Sequence, residues 1–205
     1  MNKVVKYSIL VVVLGLALYT SVNIKPLDEI KKSKSDLTFN AASYASDFMA
    51  NKIETLPAIN TSDFLANISD DLENYAEQKG RKLGVSDEYN FIIEGKATIT
   101  AIEEEYVSVL LEDNKELRIA TEFVFGNAIR DGSGMANIDD YQNTMDFNSI
   151  SVELNNIVRE TVVPPFKKKA KIGDALYFKG AVTIDITNPE IHGTKVIPLI
   201  IKFND

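Results

Sequence analysis

Tyr89-Asn90-Phe91-Ile92-Ile93-Glu94-Gly95-Lys96-Ala97-Thr98-Ile99-Thr100-Ala101-Ile102 carries the architecture of this chain. Its second half alternates apolar and polar residues, the period of a strand with one face buried. Gly95 within it predicts a bulge or sharp coil, which lets a small sheet curl toward a barrel. Tyr106–Leu111 and Glu116–Phe125 continue the period of two. Between them Glu112-Asp113-Asn114-Lys115 has the polar, turn-forming composition of a hairpin connection. Ala175–Ile186 and Lys195–Phe203 add two more apolar or alternating runs, joined by Thr187-Asn188-Pro189-Glu190-Ile191-His192-Gly193.

Outward from these strands the period changes. Tyr44, Phe48, Met49, Ile53 and Leu56 recur every three to four residues, which predicts a helix capped by Thr38 or Asn40 and stopped by Pro57. A second helix starts at Thr61 or Ser62, with Phe64, Leu65, Ile68, Leu72, Tyr75 and Ala76 as its apolar stripe and Gly80 and Gly84 at its exit. Asp139–Val163 holds a third helical signal, in which Ile150, Leu154, Ile157, Val158 and Val162 share a face, and Pro164-Pro165 ends it. The sum is an α+β domain: N-terminal helices packed on a small, five-stranded, partly closed antiparallel barrel of OB-like type with one inserted helix. Closure hides strand edges.

Tyr7 to Ile24 carries no charge and follows Lys3 and Lys6. A basic start before an apolar run is the layout of an export signal or signal anchor, and eighteen residues at 1.5 Å each span roughly 27 Å, enough for a bilayer core. No Ala-x-Ala or cysteine follows it, so residues 1–24 read as an uncleaved anchor at the inner (cytoplasmic) membrane, with cleavage near Ser21 as the alternative. Residues 25–36 are a charged tether, and residues 37–205 are one domain on the extracytoplasmic, periplasmic side. Net charge is -8, which argues against a nucleic-acid partner. The sequence has no cysteine and one histidine, His192, so thiolate chemistry, disulfides and a His-based zinc site are excluded and no cofactor is expected. Lys167-Lys168-Lys169 after the prolines reads as a solvated loop, with a membrane-surface role as the alternative.

Several segments resemble the DUF2291 family, predicted periplasmic lipoproteins of bacteria whose function is uncharacterised. They are Phe39–Tyr44, Tyr89–Ala97, Asp139–Phe147, Leu154-Asn155 and Gly173–Ala181, with Phe125-Gly126-Asn127-Ala128-Ile129-Arg130-Asp131 similar to the family's Gly-x-Ala-x-Arg-Asp signature. Together they cover roughly residues 38–203. Two departures stand out. The lipid-acceptor cysteine is missing, so the helical anchor replaces a lipid. Asn143-Thr144 stands where the family often has Asn-Gln. Family members are often encoded near sugar-uptake ABC transporters, so the resemblance implies an accessory role beside an envelope transport protein.

The candidate ligand- or partner-contact residues are Asn127, Arg130, Asp131, Asn143 and Asn155. Arg130 carries a planar fork of donors that fits a carboxylate, a phosphate or a sugar hydroxyl; the competing reading is an ion pair that pins the crossover from strand to helix. Gly132 and Gly134 lack the Lys-Ser/Thr that completes a phosphate loop, and Asp139, Asp140 and Asp146 lack calcium-loop spacing. Asp139 or Asp140 reads as a helix cap. Asn143 either bonds backbone in a turn or lines a polar pocket with Asn155. Tyr75, Tyr141 and Tyr177 suit core or rim packing more than stacking on sugar rings. No catalytic or metal constellation emerges. The sequence thus predicts a non-enzymatic, membrane-anchored accessory protein; a small polar ligand (sugar)-binding module is the second reading and an enzyme the third.

Overall fold

The computed structural model describes residues 5–7 and residues 39–203 apart from His192. Residues up to Phe39 and residues from Asn40 onward form two separate units. In the first, residues 5–7 are helical. The expected anchor beyond residue 7 and the tether lie outside the described residues, as does His192. Among the described residues no helix is long and apolar enough to cross a membrane.

The second unit is an OB-like barrel. Strand β2 (Glu88–Ile102) pairs antiparallel with β3 (Tyr106–Leu111) along its second half and with β5 (Ala175–Asp185) along its first. β3 pairs antiparallel with β4 (Glu116–Ala120), and β6 (Lys195–Phe203) lies antiparallel to β5. The ring closes where β4 meets β6 in parallel, through Arg118 opposite Lys195 and Ile119 opposite Val196. A two-residue strand, β1 (Ile59–Asn60), joins β2 in parallel outside the ring. The barrel is therefore fully closed and mixed, not partly closed and antiparallel. The pairings that sequence could not supply are two residues long, too short to leave a period.

Alternation fills the interior. Phe91, Ile93, Ile99, Val107, Val109, Leu117, Ile119 and Phe178 point inward and are buried. Each fully buried side chain of this size contributes roughly 1.5–3 kcal/mol. The bulges fall between Ile99 and Ala101 and between Lys179 and Gly180, not at Gly95. Gly95 has a different reason. A Cβ there would sit 3.1 Å from the Thr61 hydroxyl, which itself donates to the Glu94 carbonyl. At Gly180 a Cβ would come within 2.6 Å of the Ile197 carbonyl oxygen, so only glycine lets β6 cross so close.

Two helical segments precede β2 and pack in different places. α1 (Ala41–Asp47), capped by Asn40 and continued by a π-turn over Phe48–Lys52, lies on the inserted helix α5. α2 (Thr61–Asp70) lies on β1 and β2, and Asp71 breaks the expected single helix by capping α3 (Leu72–Lys79). The insertion between β4 and β5 holds more than the one helix expected. It contains α4 (Ala128–Ser133), a 3-10 turn (Ile138–Asp140), α5 (Thr144–Ile157), a π-turn (Val158–Val162) and α6 (Val163–Lys169). Pro164 and Pro165 begin α6 rather than end a helix, because a missing N–H costs nothing in a first turn. Lys167, Lys168 and Lys169 form its last turn, where cations suit the helix dipole, and are not a loop.

Candidate functional site

The segment from β4 into α4 brings the signature residues together. Beyond Ala120 the chain leaves the barrel with Thr121 tied to the Glu103–Glu105 turn: its N–H donates to the Glu105 carbonyl and its hydroxyl to that of Glu104. Val124 then points inward and is fully buried, while Phe123 and Phe125 point outward, 55% and 66% exposed. Their rings meet edge to face with centroids 6.4 Å apart. Phe123 has φ 52°, a left-handed conformation that a bulky side chain adopts only when its surroundings impose it. Those surroundings lie on α5 and the π-turn after it: the Asn155 amide donates to the Gly126 carbonyl at 2.8 Å, and Arg159 donates to the Val124 carbonyl.

Arg130 is 1% exposed. Its Nε and one terminal nitrogen form a fork onto the two Asp131 carboxylate oxygens at 2.7 and 3.2 Å. The other terminal nitrogen donates to the Phe147 carbonyl at 3.3 Å and the Asn148 side-chain oxygen at 3.0 Å. The guanidinium also lies 3.7 Å from the centre of the Phe147 ring. Arg130 therefore ties α4 to α5 and leaves no surface for a ligand. Gly132 completes this seat: a Cβ there would lie 3.2–3.3 Å from the backbone of Phe91, so glycine lets α4 lie against β2. Gly134, with φ 62°, ends the helix in the left-handed turn.

The other candidates separate. Asn127 precedes α4, exposed and without a side-chain capping bond. Asp131 also lines a hollow of about 280 Å³ with Arg81, Lys82 and Asn137, although both of its oxygens already serve Arg130. Asn143 caps α5, exchanging bonds of 2.8 Å with the Asp146 amide and carboxylate. It is exposed at one end of α5 while Asn155 is buried near the other, roughly 18 Å away at 1.5 Å per residue. They form no common pocket. Asp139 and Asp140 sit inside the 3-10 turn that Asn137 caps, so neither caps a helix. Asn155 Oδ1 and Ser151 Oγ, one turn apart, are buried without a hydrogen-bond partner among the described residues. Asn148, the third member of the Arg130 cluster, gave no signal in sequence beyond lying one residue after Phe147.

A second polar cluster gathers around Tyr177, for which the sequence indicated packing and no polar partners. The Tyr177 hydroxyl donates to Glu94 at 2.8 Å, and the buried Lys179 ammonium lies 3.3 Å from the same oxygen. Lys179 also donates to the carbonyls of Glu54 at 3.2 Å and Leu56 at 2.8 Å. Burial, reinforced by Glu94, pushes the Tyr177 phenol up to about 12. Three acceptors occupy the ammonium, and a phenol at that pKa is a poor proton shuttle near neutrality. The cluster straps the segment after α1 to the barrel beside a cavity of about 270 Å³. Among the described residues no group of three His, Cys, Asp or Glu side chains is placed to hold a metal ion.

The accessible part of this region is the pair of phenylalanines. They form one wall of a cleft of about 380 Å³, whose other walls are the outer face of β5 and the start of β6. Glu88, Asp185, Glu190 and Lys195 are its charged lining groups. In sequence Phe123 and Phe125 read as a continuation of β4, which in fact ends at Ala120, and the Phe-x-Phe spacing before Gly126 is the signal that marks the cleft.

A closed five-strand ring with helices inserted between its third and fourth strands defines an OB-like barrel. The chain belongs to the DUF2291 family of predicted periplasmic lipoproteins, whose profile matches residues 11–202. It is accordingly an extracytoplasmic, membrane-associated protein. The fold is shared with a crystal structure of an OB-fold protein from Thermotoga maritima MSB8, 24% identical, with a TM-score of 0.74 and coverage of 82% of this chain and 99% of that one. No curated protein matches the chain.

Proposed function

We propose that this protein is a non-enzymatic binding module, an accessory to an envelope transport system, held at the inner membrane by the uncharged Tyr7–Ile24 segment. One observation carries the binding role: Phe123 and Phe125 are held exposed, on a backbone fixed from behind by Asn155 and Arg159, at the edge of a cleft. A soluble protein exposes a fixed aromatic pair at a cleft when something covers it. Arg130 and Asp131 position this loop through α4 and α5, Asn127 lies at its exposed end, and Asn143 and Asn155 act through the helix behind it. The transport association rests on the family resemblance and on membrane attachment.

The cleft volume also favours a small-ligand role, since it falls within the range of small-molecule sites. The test is quantitative mass spectrometry of proteins retained by the full-length chain after mild detergent extraction, with F123A/F125A as the comparison. A transport-system membrane protein retained by wild type and lost by the folded double variant supports the accessory role. Equal retention by both chains, or none by either, removes it.

A further inference from the structure

We propose that the cleft beside Phe123 and Phe125 binds a small organic cation, an alkylammonium compound with two or more protonated amines on an aliphatic chain. The inference rests on the reading of the domain as a binding module and specifies what it binds. Among the described residues three acidic side chains and one basic one line the cleft, so that charged lining is net acidic. Glu88 and Glu190 are exposed at its rim. Asp185 is more tightly placed. Its Oδ1 accepts from the Thr187 amide and hydroxyl and from the Asn188 amide, at 2.7–3.3 Å, which leaves Oδ2 for a donor. These bonds hold its carboxyl below the usual carboxylate range, so it is charged at neutral pH.

The aromatic wall has matching chemistry. The two rings, set at 83° to each other, both line the cleft. A ring face attracts an ammonium group, and the ring surface covers the methylenes between successive amines. A neutral polyol would gain the ring contact but nothing from the net charge. An anion would meet three carboxylates against one ammonium. Volume fits the class: about 380 Å³ accommodates a short aliphatic amine.

Isothermal titration of the full-length chain in detergent micelles, with spermidine as the probe, tests this. Saturable binding is expected that weakens at least tenfold in F123A/F125A and in E88Q/E190Q, and that weakens as salt is raised. K195Q, which removes the opposing charge, should tighten binding. E94Q, in the separate cavity beside Tyr177, should leave it unchanged. Melting curves identify any variant that does not fold, and E88Q/E190Q and K195Q alter only exposed side chains. No saturable heat with spermidine, equal binding of glucose, or weaker binding in K195Q overturns the proposal. Binding of a trilysine peptide but not of spermidine also overturns it and assigns the cleft to a basic segment of a partner. Because partner retention is measured without spermidine, the accessory role and the cation site can fail separately.

Discussion

Truncating Arg130 to alanine separates a structural role for the signature from a ligand-binding one. The guanidinium makes four hydrogen bonds, two of them to the Asp131 carboxylate, and lies against the Phe147 ring. Its loss leaves the Asp131 carboxylate, 10% exposed, without its partner. Breaking a buried pair from one side costs about 3–5 kcal/mol. For a domain of this size each kcal/mol shifts the midpoint by about 2–4 °C, so R130A should melt roughly 6–20 °C below wild type. Urea unfolding followed by far-ultraviolet circular dichroism, with an unchanged m-value, gives the same quantity independently. Replacing both partners, as R130M/D131L, should recover most of the loss, because an apolar pair of similar volume needs no counter-charge. An R130A midpoint within about 0.5 kcal/mol of wild type would refute the assignment. So would a double variant no better than the single one.

Other substitutions test neighbouring parts of the argument. G132A should cost about 1–3 kcal/mol in urea unfolding, since the new methyl meets the Phe91 backbone and α4 must lift from β2; an unchanged midpoint would mean the contact is loose. S151A should leave stability within about 0.5 kcal/mol of wild type or raise it, because the hydroxyl it removes is buried without a partner among the described residues; a loss above about 1 kcal/mol would contradict that. Tyr44 and Tyr177 both have phenols raised from 10.0 to about 12, in each case mainly by burial. A raised folded-state pKa favours the neutral form, so this stability is complete below pH 10 and is lost as pH rises toward 12. Melting temperature should fall across that window, and Y177F should flatten the fall; an identical slope in Y177F would contradict the assignment.

The strands were legible because each places one face on a continuous core. β3, the hairpin turn and β6 fall where period and turn chemistry put them. Barrel closure was not legible, since it depends on two residues of β4 meeting two of β6 across a long separation. Pro164-Pro165 misled because proline opens a helical segment as readily as it closes one. At the site, sequence found Arg130 and Asp131 but left open which of two roles they have. The answer lay in Asn148 and the Phe147 carbonyl, groups that become partners only once α4 and α5 pack. Asn143 and Asn155 looked alike in sequence, yet a helix cap and a buried loop clamp are separated by most of the length of α5.

On the proposed function this barrel is expected to stand on the outer side of the inner membrane. With no cysteine in the sequence and Val85 fully exposed, a single V85C substitution provides a unique reporter. In spheroplasts a membrane-impermeant maleimide should label it as fully before lysis as after, with the labelled chain remaining in the membrane fraction. Labelling that appears only once the cells are broken would contradict the account.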